Sequence, residues 1–339
     1  IMSISIIAAN TNSQVAIGYS FVSHLNRFDQ LLPQISLNLY HFSEGSAASK
    51  PVLVSIHGGG WYQGDKIRFD SHKPRFFNDL GMLYVSLNYR LARPPLTNNS
   101  PYNNSYDPNR VRFPTLVEDC ANALKWITDN ISDYGGDPNN IVLFGHSAGA
   151  HLALLLSTNT SYINAAGVNV SQIKSCISVD TSFFNIKDIV DNKSTADSTE
   201  GGNSALLCEN AFGIEYKASR IINDFSSVAE ETAAYNAGSP DEHISSGIVP
   251  SFLVCIQGNP TRRQKCRDFI SSLSTVGIGT SICIYLDTYD HEEMQSHIGN
   301  PLTIPVGNSL PTAAQIEQGA ADVDISSFIS RYLTQIGII

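Results

Sequence analysis

The pentapeptide Gly145-His146-Ser147-Ala148-Gly149 constrains the fold more than any other part of this chain. It follows the apolar run 141–144, which is typical of a buried strand, and precedes residues 148–156, which are typical of a buried helix. A change from strand to helix over so few residues needs a turn so tight that only glycine fits on either side of Ser147. The turn exposes the serine hydroxyl at a helix N-terminus, where N–H groups favour negative charge. The motif therefore predicts a nucleophilic Ser147 above the edge of a sheet.

Strand-like apolar runs alternate with helix-like segments along the rest of the chain. The predicted strands are 52–56, 82–87, 141–144, 175–179, 251–256 and 281–286, and the predicted helices are 115–131, 148–156, 262–275 and 320–336. Residues 35–42 alternate in polarity, which predicts an antiparallel strand near the start. This rhythm predicts an α/β fold with a mostly parallel central sheet and helices on both faces.

Two stretches interrupt the alternation. Residues 92–113 are rich in Pro, Asn, Ser and Tyr and are expected to form a long loop. Residues 187–250 begin with a polar segment and continue with a helical part. Long interruptions of a compact domain are usually functional or disordered. We therefore expect residues 1–339 to form a single domain in which about 187–250 form a cap over the site.

Composition narrows the possible partners and compartment. The formal net charge is −10, and the chain has no basic run of five or more residues. Both features argue against nucleic acid or an anionic membrane surface as a partner. No apolar stretch is long enough to span a membrane, and residues 1–9 do not read as a signal peptide. The six cysteines lack metal-ligand spacing and are expected to be free, buried thiols in the cytoplasm. Six Asn-x-Ser/Thr sequons keep secretion open, and the oligomeric state is left open.

A second glycine-rich motif stands 90 residues before Ser147. His57-Gly58-Gly59-Gly60-Trp61 follows the predicted strand 52–56. Consecutive glycines let the backbone approach a substrate closely and point N–H groups at a developing oxyanion. Gly59 and Gly60 are the expected donors, with the N–H of Ala148 as the third. His57 precedes the nucleophile and is interpreted as an organiser of this loop.

These motifs carry a resemblance that covers most of the chain. The stretch 51–156 resembles the α/β-hydrolase superfamily, and it is similar to the HGGG-bearing esterases of the hormone-sensitive lipase type and to kynurenine formamidase-like and feruloyl/acetyl-xylan esterase-like enzymes. The residues behind the resemblance are His57 to Trp61, Asn88-Tyr89-Arg90-Leu91, Tyr134-Gly135-Gly136-Asp137-Pro138 and Gly145-His146-Ser147-Ala148-Gly149-Ala150-His151. It implies an α/β-hydrolase fold and a serine hydrolase that forms an acyl-enzyme without a metal or organic cofactor.

In this fold the catalytic base follows the last strand, which leaves His291 and His297. His291 stands on the loop that leaves the predicted strand 281–286, and His297 would lie along the short helix that follows. We therefore predict that His291 is the base and that His297 is solvated or packed. His146 and His151 flank the nucleophile and are interpreted as structural.

The acid departs from the family pattern. Relatives usually carry it after the penultimate strand as Gly-x-x-Asp, but here Gly258-Asn259-Pro260-Thr261 lacks a carboxylate. An alternative in the superfamily places the acid one strand earlier, and Asp180 stands there at the end of the strand 175–179. Asp180 could instead be a turn cap, and Asp287 and Asp290 are rivals because they neighbour His291. We predict an Asp180 carboxylate oxygen within hydrogen-bond reach of His291 Nδ1.

The substrate class stays broader than the mechanism. Trp61, Tyr62, Phe183 and Phe184 could form an aromatic or acyl-accepting pocket, although half of this group could be core. A carboxylic ester is the leading small-molecule substrate, and an aryl-formamide or other activated amide is the alternative. A non-catalytic binding protein on a hydrolase scaffold is a minor alternative, because fold does not fix function.

Overall fold

The central sheet carries the polar residues predicted for the site. In a computed structural model, the described residues are 5–8, 14–20, 36–42, 49–67, 72–92, 111–192, 204–217, 220–257, 260–278, 280–286, 290–299 and 325–339. Their strands are β1 (Ser5–Ala8), β2 (Gln14–Ser20), β3 (Ser36–Phe42), β4 (Lys50–Ile56), β5 (Leu83–Leu87), β6 (Gly136–His146), β7 (Ile173–Val179), β8 (Ile214–Lys217), β9 (Arg220–Asn223), β10 (Ser251–Gln257) and β11 (Thr280–Leu286).

Nine of these strands form one sheet in the order β1-β2-β3-β5-β4-β6-β7-β10-β11. The first three are joined antiparallel, and β3 pairs antiparallel with β5. From β5 to β11 every neighbouring pair is parallel. The carboxyl ends of these parallel strands therefore meet at one edge of the sheet, where ligands bind in open α/β folds.

Helices cover both faces of this sheet. They are α1 (Lys73–Asp79), α2 (Thr115–Asn130), α3 (Ala148–Thr158), α4 (Ser161–Ala165), α5 (Ile186–Asp191), α6 (Ser204–Phe212), α7 (Val228–Ala237), α8 (Pro260–Thr275), α9 (Glu293–Ser296) and α10 (Ile325–Gln335). Short 3₁₀ turns occupy Ile131–Tyr134, Val170–Gln172 and Pro240–His243. None of the helices in these parts of the chain is long and apolar enough to cross a membrane.

Two apolar cores lie on opposite faces of the sheet because successive strand side chains point to opposite faces. In β4, Val52, Val54 and Ile56 join the core beneath α2 and α3, whereas Leu53 joins the core beneath α1 and α10. The helices match these faces at their own period. The buried apolar residues of α10 recur at helical spacing: Ile325, Phe328, Ile329, Tyr332 and Leu333.

The insertion between β7 and β10 contains helices and a small hairpin. It includes α5, α6 and α7, and its strands β8 and β9 form a separate antiparallel pair. Two polar stretches predicted as irregular, 93–110 and 193–203, lie outside the described residues. The insertion therefore has secondary structure of its own at both ends of the polar segment.

The α/β fold and its alternating elements are as predicted, with differences at the ends. β6 begins at Gly136, five residues before the predicted start, because its first residues are polar and lack an apolar pattern. Lys50 of β4 nevertheless pairs with Gly136 across a register irregularity. α10 is described from Ile325, and residues 320–324 of the predicted helix lie outside the described residues.

The expectation that all cysteines are free thiols was wrong at Cys266. The buried free thiols are Cys120, Cys176, Cys208 and Cys255. Cys266 on α8 is buried and disulfide-bonded. The side chain of Cys283 lies outside the described residues. The amino-acid pattern could not reveal the bond, because pairing depends on the distance between two Cβ atoms in the folded chain.

Candidate active site

The register of the parallel strands brings the predicted site residues together. His146 at the end of β6 is opposite Val179 at the end of β7, so Ser147 and Asp180 follow neighbouring positions. Ile56 of β4 is opposite Gly145, so the glycine-rich loop lies on the other side of Ser147. Residues far apart in sequence thus reach one edge of the sheet.

Ser147 occupies a strained turn between β6 and α3. Its backbone has φ 54° and ψ −122°, which few residues other than glycine adopt, and its N–H donates to the Val179 carbonyl at 2.9 Å. A Cβ on Gly145 would lie 2.2 Å from the Gly149 carbonyl oxygen, and one on Gly149 would lie 2.1 Å from the Ile56 carbonyl oxygen. The backbone of the chain therefore leaves no room for a side chain at Gly145 or Gly149.

The glycine-rich loop approaches Ser147 from β4. Gly59 and Gly60 have φ 116° and 59°, and both line the cavity that Ser147 faces. A Cβ on Gly59 would lie 2.1 Å from the Gln63 carbonyl oxygen. Within the described residues, the N–H groups of Gly59, Gly60 and Ala148 donate no hydrogen bond. These three groups are therefore available to an oxygen atom of a substrate.

His57 holds the start of this loop. Its Nδ1–H donates to the Gly58 carbonyl at 2.8 Å, and its ring stacks on Tyr89 with centroids 4.5 Å apart. The Tyr89 hydroxyl donates to the His57 carbonyl at 3.1 Å. Burial raises the pKa of Tyr89 well above its ordinary value, so the phenol stays a hydrogen-bond donor. These contacts agree with the interpretation of His57 as an organiser.

Asp180 and His291 meet beside Ser147. The His291 Nδ1–H donates to Asp180 Oδ2 at 2.5 Å, as predicted for this pair of side chains. Asp180 is fully buried with φ 50°, and its N–H donates to the Cys255 carbonyl at 2.7 Å. The strained backbone aims the carboxylate along the edge of the sheet, from the end of β7 toward the loop after β11.

Further donors hold the Asp180 carboxylate from the next strand. The Gln257 N–H donates to Oδ1 and its side-chain amide donates to Oδ2, each at 3.0 Å. The Arg262 guanidinium lies 2.7 Å from Oδ2. Burial alone raises the pKa of Asp180, but the His291 hydrogen bond and the Arg262 charge outweigh it and hold the pKa below its ordinary value. The carboxylate is therefore ionised and fixed in direction.

His146 contacts His291 from the strand before the nucleophile. The His146 Nε2–H donates to the His291 carbonyl at 2.7 Å, and the two ring centroids are 4.6 Å apart. Burial and the neighbouring His291 lower the pKa of His146 well below its ordinary value, so its ring is neutral. Our sequence interpretation treated His146 as structural and missed this contact with the predicted base.

The rival histidine lies elsewhere. His297 ends α9, and its Nδ1–H donates to the Glu293 carbonyl at 2.9 Å. His291 lines the same cavity as Ser147, whereas His297 is not among its lining residues. Within the described residues, Ser147 makes no hydrogen bond to the His291 ring. Hydrogen bonds between catalytic groups are often long before substrate binds.

The cavity at this edge of the sheet has a volume of about 430 Å³. Of the four predicted pocket residues, Tyr62 and Phe183 line it, together with Leu207 from α6. Trp61 and Phe184 belong to the core instead, with 1% and 3% of their surface exposed. The prediction of a pocket role for those two side chains was wrong.

The backbone and neighbours explain why these two rings turn inward. Trp61 has φ 63°, and its indole N–H donates to His151 Nδ1 at 3.2 Å. The His151 Nε2–H in turn donates to the Gly238 carbonyl at 2.8 Å. Phe184 packs on Phe269 of α8 with ring centroids 4.8 Å apart. Residue type indicated aromatic character at these positions but not the direction of each ring.

The rivals Asp287 and Asp290, and the helical carboxylate Asp268, are accounted for differently. Asp268 is exposed on α8, where its side chain accepts from Gln264. Asp290 accepts the N–H groups of Glu292 and Glu293 at the start of α9. Asp287 lies outside the described residues. Among the described residues, no cluster of three or more His, Cys, Asp or Glu side chains could hold a metal ion.

Comparison with known sequences identifies a protein family that matches this chain. A family model described as BD-FAE matches residues 37–261 of the chain. The para-nitrobenzyl esterase of Bacillus subtilis (strain 168) is 39% identical over 110 residues, which are 32% of this chain and 21% of that protein. The isoprenylcysteine alpha-carbonyl methylesterase of Arabidopsis thaliana is 32% identical over 187 residues, 53% of this chain and 39% of that protein. The chain thus spans less than two thirds of the length of these relatives.

Solved structures share the fold over most of the chain. The hyperthermophilic esterase of the archaeon Pyrobaculum calidifontis superposes with a TM-score of 0.60 at 20% identity, covering 90% of this chain and 82% of that chain. Thermogutta terrifontis esterase 2, phosphoramylated by tabun, superposes with a TM-score of 0.57 at 17% identity, covering 90% of both chains. These similarities confirm the predicted α/β-hydrolase fold.

Proposed function

The chain belongs to the BD-FAE family of α/β-hydrolase esterases, and from this premise we propose that it hydrolyses carboxylic esters through Ser147, His291 and Asp180. The observation that carries the proposal is the Asp180 carboxylate 2.5 Å from His291 Nδ1, at the cavity that Ser147 faces. A carboxylate on Nδ1 leaves Nε2 as the nitrogen that accepts a proton. The pair therefore has the chemistry of a base at the cavity that Ser147 lines.

The proposed reaction has two acyl-transfer steps. As Ser147 Oγ bonds to the ester carbonyl carbon, its proton passes to His291 Nε2, and Asp180 stabilises the imidazolium that forms. The N–H groups of Gly59, Gly60 and Ala148 hold the negative oxygen of the tetrahedral intermediate. Cleavage of the ester C–O bond releases the alcohol, which takes the proton from Nε2. Water then attacks the acyl-enzyme with His291 again acting as base, and the acid leaves.

We propose that the insertion 187–250 acts as the cap of this single domain. Ser204 and Leu207 of α6 line the cavity, so part of the insertion reaches the place where an acyl group would lie. Tyr62 and Phe183 supply aromatic surface on the same cavity. A small ester whose acyl group contacts these side chains is the proposed substrate.

The cysteines support a proposal about the compartment. The disulfide at Cys266 favours an oxidising compartment rather than the cytoplasm that we expected, because cytoplasmic thiols are kept reduced. The four free thiols are compatible with either compartment, because all of them are buried away from oxidants in solution.

The test compares paired serine and histidine variants on a short p-nitrophenyl ester. Ser147→Ala and His291→Ala are each expected to lower kcat by at least about 10³, because only the oxyanion hole and binding remain. The controls Ser274→Ala, exposed on α8, and His297→Ala should keep nearly full activity. Turnover retained by a folded Ser147→Ala variant contradicts the proposal. If N-formylkynurenine is turned over faster than the ester, the proposed substrate class becomes an activated amide.

A further inference from the structure

Arg262 stands at the start of α8, directly after the strand that neighbours β7. Its side chain is 10% exposed and lines the cavity that Ser147 faces. Its Nη1 nitrogen lies 2.7 Å from Asp180 Oδ2, 3.4 Å from the Asp180 carbonyl oxygen and 3.5 Å from His291 Nδ1. One cation therefore contacts both partners of the acid–histidine pair.

The four donors around Asp180 differ in what they contribute. Gln257 donates twice, to Oδ1 through its N–H and to Oδ2 through its amide, and both groups are neutral. These bonds orient the carboxylate without changing the net charge. Arg262 shares Oδ2 with His291, so it both orients the carboxylate and adds a positive charge next to the imidazole. A positive charge at this distance disfavours a second cation on the ring.

We propose that Arg262 is a positioning residue that fixes the Asp180 carboxylate on His291 and, through its charge, keeps the imidazole neutral to lower pH than the carboxylate alone would. This inference rests on the proposed ester hydrolysis. A neutral ring is the form that accepts the Ser147 proton, so Arg262 extends the active range toward acid. The carboxylate still stabilises the imidazolium after the proton arrives.

Other ionisable groups face this pair and have to be considered. Among the described residues they are His146 at the end of β6, Cys255 on β10, Glu292 beside His291, and Lys73 of α1, which lines the same cavity. His146 is neutral, and burial raises the pKa of Cys255, so neither carries charge near neutral pH. Arg262 is the cation in hydrogen-bond contact with the Asp180 carboxylate.

The test follows kcat/KM against pH for a short p-nitrophenyl ester. Arg262→Gln is expected to lower kcat about tenfold, because a charged hydrogen bond to the carboxylate is lost. It is also expected to raise the midpoint of the acid limb by about one pH unit. Arg262→Lys retains the charge and should keep the limb within a few tenths of a unit of the original. Arg267→Gln removes the same charge from an exposed position on α8 and should match the unsubstituted protein in both respects.

An unmoved acid limb in folded Arg262→Gln overturns the inference, since a structural role alone lowers kcat without moving the limb. If that variant does not fold, Asp180→Asn and Asp180→Asn/Arg262→Gln replace it, because the double variant does not leave the buried carboxylate unpaired. The rate of labelling by a fluorophosphonate is then followed against pH to give the acid limb. The midpoint of this limb is expected about one pH unit higher in the double variant than in Asp180→Asn. Equal limbs overturn the inference. An active Ser147→Ala variant would instead contradict the proposed function itself.

Discussion

At the scale of single residues, the carboxylate of Asp180 decides the chemistry of the site. It is fully buried, yet its pKa is held below the ordinary value because His291, Arg262 and Gln257 all act on the ionised form. An ionised carboxylate favours the Nδ1–H tautomer of His291, which leaves the lone pair of Nε2 to accept a proton. A neutral side chain of the same shape would not hold this tautomer.

Asp180→Asn is therefore expected to lower kcat for ester hydrolysis by up to about 10⁴, as for the same change in serine proteases. The matched control is Asp268→Asn, because Asp268 is the first carboxylate after the position where relatives carry the acid and is exposed. Asp287→Asn should also be nearly normal. Steady-state kinetics on the folded variants measures kcat for all three. A large loss of kcat in Asp268→Asn or Asp287→Asn, with a normal Asp180→Asn, would assign the acid to the other residue.

At the scale of elements, the helix α6 of the insertion closes one side of the cavity. Leu207 lines the cavity, and its Cδ2 lies 3.3 Å from the place where a Cβ of Gly60 would stand. The apolar side chain is therefore beside one of the proposed oxyanion donors, where the acyl group of an ester would begin. The preceding Leu206 is half-buried and does not line the cavity.

Leu207→Trp is expected to reduce turnover of p-nitrophenyl hexanoate at least about tenfold relative to acetate, because the larger ring fills space needed by a longer acyl chain. Leu206→Trp adds the same ring one residue earlier and should leave the hexanoate-to-acetate ratio unchanged. The ratio of kcat/KM for the two esters is the measurement. A ratio unaffected by Leu207→Trp would place the acyl chain elsewhere.

At the scale of the whole molecule, buried histidines link stability to pH. Burial lowers the pKa of His151 to about 4, although its hydrogen bond to the Gly238 carbonyl acts the other way. Burial also lowers the pKa of His146. In the unfolded chain a histidine titrates near about 6.5. Between these two values the unfolded state holds a proton that the folded state lacks, so the free energy of unfolding falls as pH falls.

For His151 this dependence covers about pH 6.5 down to about pH 4 and costs about 1.4 kcal/mol per pH unit. Between pH 7 and pH 5 the share of His151 is therefore about 2 kcal/mol. Urea unfolding of His151→Gln is measured at pH 7 and at pH 5. The free energy of unfolding should change between these pH values by about that amount less than in the unsubstituted protein. This holds even if the variant is less stable at pH 7 through loss of the Trp61 hydrogen bond. The difference left in this variant would come from His146 and other groups. An unchanged difference would show that His151 does not titrate on unfolding.

Local patterns in the sequence determined the positions of most strands and helices and several residues of the candidate site. Apolar runs located the strands of the parallel sheet, and helical periodicity located the helices that cover it. Both signals work because the spacing of apolar residues encodes which face of a strand or helix is buried. The glycines around Ser147 predicted its turn, since their lack of a side chain is a local requirement. Asp180 could be chosen because the position that usually carries the acid has no carboxylate.

Only the tertiary structure decided how side chains from different elements meet. Arg262 and Gln257 reach Asp180, and His146 reaches the His291 carbonyl, because the strand register brings their elements together. Trp61 turned to the core rather than the cavity through its backbone conformation. Each outcome depends on directions and distances between segments far apart in the chain. Residue type and spacing describe one segment at a time, so they determine which surfaces are buried but not which partner each side chain contacts.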